Sequence, residues 1–135
     1  MFWILQMAPL ALLLLLKIAI TLLVVSGPFL VLPKSKIDQL SGYAGTPVAF
    51  YRLYGTAIFA LLVAYSGGLV SVLAGNVPWT VIAMGIASNL GATLVMIGTG
   101  EARKHPALAA FFAFIAAGLI GAALLPEMAV TPLKL

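Results

Sequence analysis

The chain has 135 residues, 64% hydrophobic and only 7% charged, with a net charge of +4 and a mean hydropathy of +1.21. A soluble domain covers itself with about 25% charged residues, so a water-exposed globule is excluded. The cations stand in short clusters between apolar runs, which excludes a nucleic-acid-binding face and marks them as determinants of membrane topology.

Four apolar stretches are long enough to cross a bilayer, whose ~30 Å hydrocarbon core takes about 20 helical residues. Backbone groups in lipid must be satisfied within the segment, so these stretches are expected to be helices. The prediction is an all-α integral membrane bundle of four transmembrane helices, a single transmembrane domain over residues 1–135. Its spans lie near 9–32, 48–74, 79–99 and 107–125.

The first apolar run extends from Phe2 to Leu32, and at 1.5 Å per residue it measures roughly 46 Å, more than a bilayer needs. Gly27-Pro28 is the expected place for a kink or stop, because proline has no N–H and its ring clashes with the preceding turn. The run has neither the basic n-region nor the small-residue cleavage site of a signal peptide. Lys17 is the one ionisable side chain well inside it. Two readings of Lys17 stay open: a lysine turned to a neighbouring helix or subunit, and one that snorkels to the interface without a role.

A polar connection follows, and residues 35–41 predict a short interfacial helix. Ser35 to Asp38 has the spacing of a capping box, and Ile37 and Leu40 are expected to face lipid. Phe50, Tyr51 and Tyr54 at the start of the second span read as an aromatic belt, with Arg52 at headgroup depth. Tyr65 lies deeper in the same span.

In the third span Asn89 is the one carboxamide at bilayer depth, among Gly85, Ser88, Ala92 and Thr93. It reads first as interhelical glue and second as a partner of Lys17 or Tyr65 in a polar pocket. Small residues recur at four-residue spacing, Ala83, Ala87 and Gly91 in the third span and Ala113, Ala117 and Gly121 in the fourth. Such rows let helices approach closely, within the bundle or against a foreign subunit. Between these spans Glu101 and His105 are four apart beside Arg103 and Lys104, and the segment reads as a solvated loop.

Lys34, Lys36, Arg52, Arg103 and Lys104 adjoin the first and third connections, against Lys134 alone on the opposite side. The positive-inside rule then puts both termini on the non-cytoplasmic side, of what reads as a bacterial inner membrane. The acids Asp38, Glu101 and Glu127 all lie outside the spans, whereas ion-coupled transporters use carboxylates at the midplane. There is no cysteine and one histidine, which excludes disulfides, thiolate metal sites and bis-histidine haem ligation. No catalytic motif is present.

The expectation is a non-enzyme without cofactor or metal, with membrane lipids and other integral-membrane subunits as partners, or a second copy of itself. Three functions follow from it: an accessory or assembly subunit of a larger membrane complex; a small oligomeric transporter or channel with Lys17 and Asn89 along its path; and an interfacial enzyme on lipid or quinone using Arg52, Glu101 and His105.

Overall fold

A computed structural model describes residues 2–134. The fold is all-α, a four-helix membrane bundle, and the protein is a multi-pass integral membrane protein. The four spanning helices run Pro9–Val31, Val48–Leu73, Trp79–Thr99 and Pro106–Leu124, within a residue or two of the boundaries the hydropathy predicts.

A short helix α1 (Phe2–Leu5) precedes the first span and is separated from it by a turn at Gln6 and Met7. Pro9 disfavours helical backbone at Ala8, so the surplus apolar length splits off there. The remaining 23 residues of the span measure about 34 Å, close to the bilayer core.

The first span is α2 (Pro9–Thr21), a π-helical turn (Leu22–Ser26) and α3 (Gly27–Val31). Pro28 therefore neither stops nor breaks it. Instead the helix widens by one residue just upstream, and the Gly27 N–H bonds the Leu22 carbonyl. A Cβ at position 27 would stand 2.6 Å from that oxygen, so only glycine fits the widened turn. The helix ends where Leu32 turns extended ahead of Pro33.

Helix α4 (Lys34–Ser41) is the interfacial segment and stops at Gly42, whose φ of +78° is left-handed. It starts one residue earlier than expected, with Pro33 at the N-cap and no side-chain cap. The Ser35–Asp38 capping box does not form, since Ser35 already lies inside the helix. Ile37 is buried, against expectation, and Leu40 is exposed.

Helix α5 (Val48–Leu73) ends in a Schellman turn: left-handed Gly75 bonds Val72, and Asn76 bonds Ser71. Helix α6 (Trp79–Thr99) stops at left-handed Gly100, and a single turn, α7 (Glu101–Lys104), replaces the expected loop. Helix α8 (Pro106–Leu124) follows, with proline in its first turn, where its missing N–H costs nothing. The tail adds α9 (Pro126–Val130).

The described residues divide into two compact units. Leu15–Gly67 forms one, and the remaining described residues form the other. In the second unit α6 packs along α8. Helix α6 buries Ile82, Gly85, Asn89 and Thr93, and α8 buries Ala109, Phe112, Ile115, Ala116, Leu119 and Ala122.

Candidate functional site

The unit Leu15–Gly67 joins its helices through polar contacts. The Phe29 carbonyl sits four residues before Pro33, which has no N–H to offer it. The Arg52 guanidinium supplies the missing donor, with Nη1 at 2.8 Å from that carbonyl and Nη2 at 2.8 Å from the Leu32 carbonyl. Arg52 is thus the C-cap of the first span, a task its planar fork suits. Three residues on, Gly55 lets the two spans close: a Cβ there would lie 3.0 Å from Leu30 Cγ and from Phe29 Cβ. Fully buried Ser26 donates to the Gly55 carbonyl at 3.1 Å.

Tyr51 leaves the expected aromatic belt and is buried, 4% exposed, whereas Phe50 and Tyr54 stay exposed. The Phe29 ring lies 5.4 Å from that of Tyr51 and edge-on to Tyr54 at 5.2 Å. The Tyr51 hydroxyl donates to Asp38 Oδ1 at 2.6 Å, and Lys34 Nζ holds Oδ2 at 2.6 Å. The bond from Lys34, then that from Tyr51, keeps the Asp38 carboxyl below the usual carboxylate range. These contacts fasten α4 to the start of α5.

Deeper in the same unit Lys17 is buried, 6% exposed, and its Nζ lies 6.0 Å from the centroid of the Tyr65 ring. That is the outer reach of a cation–π contact. Tyr65 itself is fully buried. The structure therefore brings together two of the three intramembrane polar candidates. Asn89 belongs to the other unit, where its Nδ2 donates to the Gly85 carbonyl at 2.7 Å and its backbone carbonyl accepts from the Thr93 hydroxyl at 2.8 Å.

Glu101 Oε1 takes Lys104 Nζ at 3.1 Å. His105 falls between α7 and α8 with a non-helical backbone, so it shares no helix face with Glu101. Among the described residues no three His, Cys, Asp or Glu side chains gather as a metal site requires.

The small-residue rows sit where the sequence alone did not place them. Ala83 and Ala87 are exposed and Gly91 is half-buried; Ala113, Ala117 and Gly121 are all exposed. A Cβ on Gly91 or Gly121 would meet nothing within 4 Å. The close approaches use other glycines: Gly55, Gly68 against Val81, and Gly118 against Leu13.

Sequence reasoning passed over Thr21, Ser26 and Gly55. Thr21 and Ser26 share the buried side of the first span with Lys17 and Val25, a spacing that was legible. Gly55 gave no signal, since its role depends on which helix lies opposite. Comparison with protein families, with curated proteins and with solved structures finds no match to this chain.

Proposed function

We propose that the chain is a non-catalytic accessory or assembly subunit of a larger integral-membrane complex, in a bacterial inner membrane with both termini on the non-cytoplasmic side. One observation carries this reading. The rows Ala83–Ala87–Gly91 and Ala113–Ala117–Gly121 lie on open or half-open faces of α6 and α8. Helices in lipid gain nothing from the hydrophobic effect on association and depend on close packing, which small residues permit. A face given to acyl chains has no use for alanine and glycine, whereas a face meeting another helix does. The charge distribution supports the orientation, and the partner is a different polypeptide rather than a second copy.

Gentle solubilisation of native membranes tests this reading. The chain should migrate with at least one other subunit, and Ala87→Leu with Ala117→Leu should release it while leaving it folded. A single-chain species without a co-purifying subunit would contradict the reading. Buried Lys17 beside Tyr65 favours a second reading, a small oligomeric transporter or channel. Self-association together with substrate movement in vesicles would select it.

A further inference from the structure

Helices α1 and α9 lie outside the four spans, and in each the backbone and the side chains make opposite demands. They have 4 and 5 residues, so most of their N–H and C=O groups are end groups without an intrahelical partner, and hydrocarbon is closed to them. Their side chains suit water no better. Trp3 is 66% exposed and Met128 67%, with exposed Leu125 next to Pro126, while Ala129 turns inward. Only the headgroup–glycerol layer of a bilayer meets both demands, since it offers hydrogen bonds and apolar contact at the same depth.

The two helices belong to the same compact unit. The Leu133 N–H donates to the Met7 carbonyl at 3.4 Å, which ties the tail beyond α9 to the turn that follows α1. Their exposed surface also continues that of a span: Leu124, the last residue of α8, is exposed, and Leu125 and Met128 extend the apolar surface past it. Helices α6 and α8 are joined through α7 at their other ends, so Trp79, which opens α6, stands at this same end and is exposed as well. Indoles gather at headgroup level. We propose that α1 and α9 form an interfacial seat for a lipid surface, with Trp3, Leu125 and Met128 inserted among the glycerol groups. Charge selects the lipid. Helix α1 carries no charged residue, α9 carries only Glu127, and Lys134 follows only after Thr131-Pro132-Leu133. Insertion therefore rests on apolar area rather than on attraction to anionic headgroups, and zwitterionic or neutral lipid is the partner.

The test uses the full chain in phosphatidylcholine vesicles and its two tryptophans. Trp79→Phe leaves Trp3 to report on α1, and Trp3→Phe with Trp79→Phe and Met128→Trp moves the reporter to α9. Both reporters should emit to the blue of N-acetyltryptophanamide in water. Phosphatidylcholine brominated high on its acyl chains should quench them most, lipid brominated near the chain ends less, and aqueous acrylamide only weakly. Adding an equal amount of phosphatidylglycerol should change none of this. Emission like that of the water-borne amide, with strong acrylamide quenching, overturns the proposal in favour of a water-facing surface. Blue emission that no quencher reaches overturns it in favour of a polypeptide cover, and strongest quenching from the chain ends in favour of burial in hydrocarbon. A depth that shifts with phosphatidylglycerol overturns the choice of lipid.

Discussion

The two units solve the same problem with different chemistry. In Leu15–Gly67 the helices are locked by directed polar contacts: Arg52 on two orphan carbonyls, Ser26 on Gly55, and Tyr51 and Lys34 on Asp38. In the unit holding α6 and α8, Ser88, Asn89, Thr93 and Thr99 each place a side-chain bond on a carbonyl of their own helix. Its helices meet through apolar side chains and through Gly68 and Gly118. Lipid supplies no hydrophobic drive between helices, so one unit obtains its specificity from hydrogen bonds and the other from shape. The difference teaches where each is vulnerable. A polar lock fails when one atom is removed, and a close fit fails when one is added.

The largest effect should come from Arg52→Leu. It leaves the Phe29 and Leu32 carbonyls without their donor, at about 1–3 kcal/mol for each unsatisfied group. Reversible unfolding in mixed micelles should register the loss, with Arg52→Lys recovering only part of it. An unchanged midpoint for Arg52→Leu would remove the polar lock from the account.

Next come the glycines, which separate closed faces from open ones. Gly55→Val forces a side chain against Leu30 Cγ and Phe29 Cβ, and overpacking of this kind costs about 1–3 kcal/mol. Gly121→Val has open space around it and should leave the isolated chain's unfolding unchanged. Equal effects at the two positions would mean that the open face is not open.

Ser26→Ala should be milder. Interhelical hydrogen bonds in membranes average about 0.6 kcal/mol and reach about 1.7. The same unfolding assay reads it, and a loss as large as that of Arg52→Leu would show that the Ser26 bond had been undervalued.

The smallest effect is set by pH and confined to α4. Because the folded state holds Asp38 ionised, its carboxyl titrates below the unfolded value of about 3.9. The stabilisation is present in full above that pH and is lost as pH falls through the lower folded value. The protection of the Ile37 and Asp38 amides, read as the slowing of exchange relative to the intrinsic rate at each pH, should fall on acidification below about pH 4, and in Asp38→Asn it should be low throughout. Protection that rises on acidification would reverse the sign.

Much of the fold was legible because a spanning helix announces itself over some twenty residues at once. The prolines and glycines at 33, 47, 75, 78, 100 and 106 then mark the ends. What depended on the neighbour was not legible. A four-residue period defines a face of α6 or α8 and not what lies opposite, so the small-residue rows read equally well as inside or outside. Tyr51 fits a belt by position, yet the path of residues 38–51 turns its hydroxyl to Asp38. The capping box failed because Pro33 took the N-cap first. At Pro28 the expected break became a π turn, since Gly27 accommodates the Leu22 carbonyl where a Cβ would clash. Lys17 and Tyr65 stood out as rare polar groups in apolar runs, and burial brings them together.

The most direct measurement of the central claim is photocrosslinking in native membranes with a diazirine amino acid placed at Ala87 or Ala117, and at exposed Val63 on α5 as a control. The account predicts that Ala87 and Ala117 capture a discrete second polypeptide, the same one from both positions, while Val63 captures lipid. Lipid alone at all three positions would contradict it.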